Sequence, residues 1–240
     1  MYSLLWCLIN NIDTQKQGYN MSKIYDVRQK NTETAFKLLS EKKLNPNNLN
    51  KLIQNGGLNP NAFEDDKMFS LFGLVVMKGD TEMVEMLIKV GADVNLTNEY
   101  GEPPLFNANA NVARILLKYG ANVKHKNDHG ETVLMYADDP EKLQLMIDNG
   151  ADIKATCNSL KNTPLHLARD VDCVKVLIKN GADINAINDL GETPLERHLT
   201  NIEILKVLLD NGAKITKNSI LAKIILDDEL KEKVKSNLAE

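Results

Sequence analysis

Residues 163–186 read TPLHLARDVDCVKVLIKNGADINA, and this stretch predicts the fold of the chain. Thr163 and Pro164 are typical of a helix start, because threonine can cap a helix and proline presets its first turn. A second short helix is predicted next, since apolar residues share one of its faces, at Cys173, Val174, Val176, Leu177 and Ile178. Gly181 then favours the left-handed backbone that ends a helix. The stretch therefore predicts two short helices followed by a turn.

The same marks recur along the chain at a nearly fixed period. Gly-Ala dipeptides are separated by 29, 30, 31 and 31 residues, and they lie at 91–92, 120–121, 150–151, 181–182 and 212–213. A second mark keeps the same phase, as GEPPL, GETVL, KNTPL and GETPL at 101–105, 130–134, 161–165 and 191–195. Two marks in one phase predict a stack of repeats instead of one central core.

Each unit also carries its own helix starts and turns. Acidic residues suited to helix capping precede the second helix of three units, at Asp80, Asp139 and Asp170. Between each Gly-Ala dipeptide and the next Thr-Pro-Leu-type segment the sequence is polar. Residues 188–191, Asn-Asp-Leu-Gly, predict a turn at the tip of a projecting, hairpin-like finger. Asparagines recur at these finger turns, at Asn98, Asn127, Asn158 and Asn188.

The chain resembles the ankyrin-repeat family over roughly residues 56–216. The resemblance rests on the segments 163–168 and 181–186, supported by GETPL at 191–195 and GADVN at 91–95. It implies an all-α solenoid in which each unit is a β-turn finger plus two antiparallel helices. The units here are shorter than the usual ~33 residues, so we expect an inner helix about one turn shorter, except in the unit at 71–91. The short repeats, and the high content of residues with AT-rich codons (Asn, Lys and Ile), favour a prokaryotic or viral source.

These marks predict four segments. Residues 1–20 are expected to be a flexible segment or an extension, since Met21 opens a second plausible start. Residues 21–62 are predicted to be a degenerate N-terminal repeat or cap, with two short helices within 32–56. Residues 63–216 form the ankyrin-repeat domain of about five units, and residues 217–240 a C-terminal helical cap.

Composition argues against several classes of partner. Lys and Arg total 29 against 33 for Asp and Glu, which argues against binding to nucleic acid. The longest apolar run, Leu4 to Ile9, is too short to span a bilayer, so no membrane association is expected. Three widely spaced cysteines are neither a disulfide framework nor a zinc site and favour a reducing, cytoplasmic location. We expect a monomer in the cytoplasm of the source cell, or of a host cell.

The sequence offers no convincing catalytic, metal or cofactor site. His125 and His129 are four residues apart, but they lie in a finger, and a metal would need further ligands. His166 is predicted to be structural, bonded to backbone and to Thr163. The carboxylate pairs are interpreted as helix caps, at Asp138-Asp139 and Asp227-Asp228. Cys157 is predicted to be an exposed, unreactive thiol and Cys173 a small core residue. We therefore expect neither an enzyme nor a bound cofactor.

The finger tips are the predicted binding residues, because they are solvated and irrelevant to stacking. Tyr100, Leu160 and Leu190 are apolar residues at exposed turns. Either they form a binding ridge or each packs on the neighbouring finger. The surrounding residues are mostly acidic and favour a basic or polar partner surface. The candidate partner-binding residues are Glu99, Tyr100, Glu102, Asp128, His129, Glu131, Ser159, Leu160, Asp189 and Leu190.

The function predicted from the sequence is a non-enzymatic protein–protein interaction scaffold that uses the finger tips and the concave face. Within that class, an immunity- or antitoxin-type inhibitor of a cognate toxin and a secreted, host-targeting effector are both open. An enzyme or cofactor binder, which would require a pocket with convergent polar groups, is the less favoured alternative. A part of a larger assembly, docked through residues 1–20 or 217–240, is the third.

Overall fold

The computed structural model describes residues 21–63 and 68–215 of the 240-residue chain. The segments predicted at 1–20 and 217–240, and the pair Asp227-Asp228, lie outside the described residues. Ten α-helices and two 3₁₀ helices follow one another, with no strand in the described part. They are α1 (Met21–Ser40), α2 (Pro46–Gln54), α3 (Leu71–Lys78), α4 (Thr81–Lys89), η1 (Pro104–Asn107), α5 (Ala110–Lys118), η2 (Val133–Met135), α6 (Pro140–Asp148), α7 (Pro164–Leu167), α8 (Val171–Lys179), α9 (Pro194–Arg197) and α10 (Ile202–Asp210).

The second helix of every unit is nine residues long, because the same local signals start and stop it each time. A side-chain oxygen accepts backbone N–H groups at each start, and the capping residues are Asp80, Asn109, Asp139, Asp170 and Asn201. A glycine with positive φ follows each end, at Gly91, Gly120, Gly150, Gly181 and Gly212. The helix starts and ends predicted from sequence are confirmed.

The first, inner helix of the later units is short, as the sequence predicts. It has four, three, four and four residues in η1, η2, α7 and α9, whereas α3 in the unit at 71–91 has eight. In that unit Gly79, with φ of 79°, allows a helix–helix corner that the later units lack. The shortening reduces the inner wall of the solenoid and leaves the nine-residue outer helices unchanged.

The core consists of thin layers between neighbouring units. Each outer helix contacts the outer helix of the next unit, in the order α4, α5, α6, α8 and α10. Equivalent positions of these five helices are buried, at Leu87, Leu116, Met146, Leu177 and Leu208. Such stacking confirms the predicted all-α repeat solenoid. It also places the loops before the inner helices along one edge of the stack, where the candidate residues lie.

The first helix is longer than the sequence pattern indicates. It begins at Met21, whereas apolar periodicity predicts a helix only from about residue 32. None of residues 24–30 is buried, so no apolar period marks them, and Tyr25 and Val27 are exposed. Asn31 anchors the helix, since its side-chain Nδ2 donates to carbonyl oxygens of Leu52, Asn55 and Gly57.

Candidate functional site: the finger edge

Three of the fingers are closed by the same asparagine–glutamate pairing. The backbone N–H of Asn98 donates to the carbonyl of Glu102 at 3.0 Å, and the Asn98 side-chain oxygen accepts the N–H groups of Tyr100 and Glu102. The same bonds close the fingers at 127–131 and 188–192. In all three the asparagine Nδ2 also donates to the glutamate carboxylate. Each finger is therefore a rigid turn.

The finger at 157–162 departs from this pattern and corrects one prediction. Cys157, not Asn158, occupies the position of the closing asparagine, since its N–H donates to the carbonyl of Asn162 at 3.1 Å. This finger is one residue longer, and Lys161 takes the left-handed backbone, with φ of 58°, where the other fingers have glycine. The prediction that Cys157 is exposed is wrong. Its side chain points into the turn, and the residue is 2% exposed.

The environment of the Cys157 thiol explains its protonation behaviour. Burial opposes its ionisation, but hydrogen bonds from the backbone of Leu160 and Asn162 and from Ser159 outweigh burial and lower its pKa. Cys173, by contrast, lies in the core, as predicted, where burial and the nearby carboxylate of Asp170 raise the pKa of its thiol to about 12. Both thiols fill space inside the repeats.

Neighbouring finger tips are joined by backbone hydrogen bonds. The carbonyl of Tyr100 accepts the N–H of Asp128 at 3.1 Å. His129 accepts from Asn158 at 2.8 Å, and Leu160 accepts from Asp189 at 2.9 Å. The four fingers consequently lie side by side in register, and all ten predicted residues fall on one edge of the solenoid. We call this surface, made of residues 98–102, 127–131, 157–162 and 187–192, the finger edge.

The finger edge exposes apolar side chains at its two ends. Tyr100 is 43% exposed and Leu190 is 61% exposed, whereas Leu160 is half-buried. Ile187, which the sequence reading missed, is 67% exposed beside Leu190. Polar tip residues are exposed between them, at Glu99, Asp128, His129, Ser159 and Asp189, while Glu102 and Glu131 are half-buried in the finger turns.

Tyr136 adjoins the finger edge, although the sequence did not single it out. It follows η2 and is 39% exposed. Its hydroxyl donates to the Glu131 carboxylate at 2.5 Å and accepts from Asn127 Nδ2 at 3.2 Å. Its ring lies 5.3 Å from the ring of Phe106. An aromatic residue directly after a shortened inner helix was the available signal, but its distance from the finger tip in sequence concealed the contact.

The carboxylates around Tyr100 and Tyr136 make this end of the edge strongly acidic. Glu99 first, and Glu102 in addition, raise the pKa of the Tyr100 hydroxyl. Burial, Glu131 and Glu102 raise the pKa of the Tyr136 hydroxyl. Glu102 thus acts on both phenols. Within residues 21–63 and 68–215, none of these three carboxylates forms an ion pair, whereas Glu192 at the other end lies 3.6 Å from Arg197.

The histidines and capping aspartates have structural partners. Nδ1 of His166 accepts from the Thr163 backbone N–H at 3.2 Å and lies 2.8 Å from its hydroxyl oxygen, which confirms the structural role predicted for His166. His125 Nε2 lies 2.8 Å from the Gly101 carbonyl, in the preceding finger. Asp139 caps α6, as predicted. In the described part of the chain, no group of three or more His, Cys, Asp or Glu residues could hold a metal ion.

The stacked helix pairs and their projecting fingers define a helical-repeat protein of the solenoid class. The sequence model for ankyrin repeats matches in three overlapping copies, at residues 24–127, 71–156 and 136–219, so the chain belongs to the ankyrin-repeat family. Ankyrin repeats are generally protein–protein interaction modules, and the family is typically non-enzymatic. No curated protein matches the sequence. Among the described helices, none has the length and apolar content needed to cross a membrane.

Proposed function

We propose that this chain is a non-enzymatic scaffold that binds a partner protein through the finger edge and the adjoining concave face. The observation that carries the proposal is the row of finger tips held in register by backbone hydrogen bonds, with Tyr100 and Leu190 exposed upon it. Exposed aromatic and aliphatic side chains on a rigid backbone are suited to association, because little conformational entropy remains to be lost on binding.

The outer helices offer a contrasting surface. Their exposed charges pair with one another, since Arg114 bonds Glu141 of the next unit and Lys175 bonds Asp172 at 2.7 Å. Opposite charges paired in this way leave little net electrostatic field to attract a partner. The contrast favours the finger edge as the binding surface and the outer helices as the solvated back of the solenoid.

The proposal is tested by affinity capture of the tagged chain from its native cell, with identification of bound proteins by mass spectrometry. The triple variant Tyr100→Ala, Leu160→Ala, Leu190→Ala should lose the specific partner while keeping its melting temperature within a few degrees. A control triple variant on the outer helices, Arg114→Ala, Lys118→Ala, Lys175→Ala, should retain the partner. Lowered melting with unchanged capture would mean that the tip residues pack and do not bind. A captured toxin or host protein would decide between the immunity and effector contexts.

A further inference from the structure

We propose that the finger edge takes an extended segment of the partner that places a lysine or arginine side chain at Tyr100, Glu102 and Tyr136 and an apolar side chain at Ile187 and Leu190. This inference rests on the proposed function. It adds which kind of side chain the bound segment places at each end of the finger edge. It is carried by an asymmetry along the edge, since the two ends differ in charge and in apolar exposure.

The first end suits a cation. Glu99, Glu102 and Glu131 lie around two exposed phenol rings, and no described cation pairs with any of them. Tyr136 is fixed by its bonds to Glu131 and Asn127, so its ring offers a preset face. A basic side chain there gains both carboxylate attraction and cation–π contact with a tyrosine ring. A neutral or acidic side chain would gain neither.

The opposite end suits an apolar group. Ile187 and Leu190 are the most exposed aliphatic side chains of the described residues. Leu160 of the neighbouring finger is half-buried, and its carbonyl accepts the N–H of Asp189 at 2.9 Å. The nearby carboxylate of Glu192 is already within 3.6 Å of Arg197. Since the charge of Glu192 is compensated inside the chain, the exposed Asp189 is the carboxylate left at this tip, against Glu99, Glu102 and Glu131 at the first end. This end therefore attracts cations less and gains mainly by covering apolar surface.

The spacing favours an extended occupant. The finger at 98–102 and the finger at 187–192 are three repeats apart. Packed helices of successive repeats lie about 8–10 Å apart. The two ends are therefore about 24–30 Å apart. A chain that rises about 3.3–3.6 Å per residue covers this distance in about eight residues. A single helix would need roughly twice as many residues to do so.

The test is a phage-displayed library of random 16-residue peptides selected on the intact chain. We expect enriched peptides to carry Lys or Arg about eight positions from an apolar residue. Affinity of synthetic copies, measured by fluorescence anisotropy, should fall about tenfold on the variant Glu99→Gln, Glu102→Gln, Glu131→Gln, and should weaken with added salt. Glutamine keeps an acceptor oxygen for the finger asparagines, and equal melting temperatures verify that the fingers stay closed.

A matched control is Glu192→Gln. Glu192 closes its finger as Glu102 and Glu131 close theirs, but Arg197 compensates its charge. Its peptide affinity should stay within about twofold. The inference is overturned if no peptide is enriched, if enriched peptides lack a basic residue, or if the triple glutamine variant binds them unchanged. If the native partner is lost with Tyr100→Ala, Leu160→Ala, Leu190→Ala but not with the glutamine variant, the proposed function stands and this inference fails.

Discussion

The imidazole of His166 joins two repeats through the backbone of Glu192. Its Nδ1 accepts the backbone N–H of Thr163, so Nε2 carries the proton and donates to the Glu192 carbonyl at 3.1 Å. His198 makes a similar link, as its Nε2 lies 3.0 Å from the Leu165 carbonyl. Both rings are buried. The neutral imidazoles of His166 and His198 therefore link the last two described units, and their charged forms are disfavoured there.

Acid should therefore loosen this end of the solenoid. Burial lowers the pKa of both His166 and His198. The unfolded chain, with histidines near pKa 6.5, then binds more protons than the folded chain, so stability is lost as the pH falls below about 6.5. We expect the free energy of unfolding to fall by about 1–2 kcal/mol between about pH 7.5 and pH 5. Urea unfolding across this range measures it.

The double variant His166→Gln, His198→Gln is compared with the exposed control variant His129→Gln. The double variant should be less stable at neutral pH but should lose most of the acid dependence. The control should keep the wild-type dependence. Equal pH dependence in all three proteins would contradict the assignment to His166 and His198.

Thr132 has a buried hydroxyl without a hydrogen-bond partner in the described structure. Its counterparts Thr163 and Thr193 bond to side chains three residues later, at His166 and Glu196, but Thr132 has Met135 in that place. Met135→His should supply the missing partner and raise the free energy of unfolding by about 0.5–1.5 kcal/mol. Chemical denaturation at about pH 8 keeps the new imidazole neutral. Met135→Leu serves as the control, and an equal gain in both variants would refute the hydrogen-bond explanation.

Lys142 lies buried where the other outer helices carry apolar residues, at Met83, Val112, Cys173 and Ile204. Its Nζ donates to the Phe106 carbonyl at 2.9 Å, and burial lowers its pKa although Asp138 and Asp139 oppose this. Removing a buried charge is expected to stabilise the fold, so Lys142→Met should gain about 1–2 kcal/mol at pH 7.

The pH dependence of that gain identifies its cause. Since the folded-state pKa is lowered, the unfolded chain binds more protons between that pKa and about 10.5, and wild-type stability from this group rises with pH. The advantage of Lys142→Met should shrink as the pH approaches about 10. The exposed control Lys89→Met should change stability by less than about 0.5 kcal/mol at any pH. A gain independent of pH would assign the effect to packing.

Gly130 is constrained by its neighbour finger as well as by its backbone. Its φ is 72°, close to the 76° of Gly191. A Cβ at Gly130 would overlap the side chain of Asn158, whereas one at Gly191 would meet nothing within 4 Å. Both alanine variants should lose about 1 kcal/mol through backbone strain, and Gly130→Ala about 1 kcal/mol more. Adding Asn158→Gly should recover the extra loss, which a double-mutant cycle by thermal unfolding measures.

Sequence alone determined the repeat phase, the outer helices with their glycine ends, the capping residues Asp80, Asp139 and Asp170, and the shortened inner helices. Those features depend on neighbours within about one helical turn, so local chemistry encodes them. The structural role of His166 was also readable, since Thr163 lies three residues away. The finger edge itself was predicted, because a fixed period places every tip on the same side of the stack.

The tertiary structure decided which side chains lie next to each other, both within a unit and between units. Cys157 is buried because it occupies the finger-closing position, and only its bond to the Asn162 carbonyl and the bond from Asn158 to the His129 carbonyl reveal that register. Tyr136 entered the site because folding brings its hydroxyl to Glu131 and within reach of the Glu102 charge. Lys142 was buried by Phe106, which lies 36 residues earlier. The Lys142 contact joins residues about one repeat apart, and the contacts of Cys157 and Tyr136 are peculiar to their own units. A repeating local pattern carries no information about where one unit departs from the others.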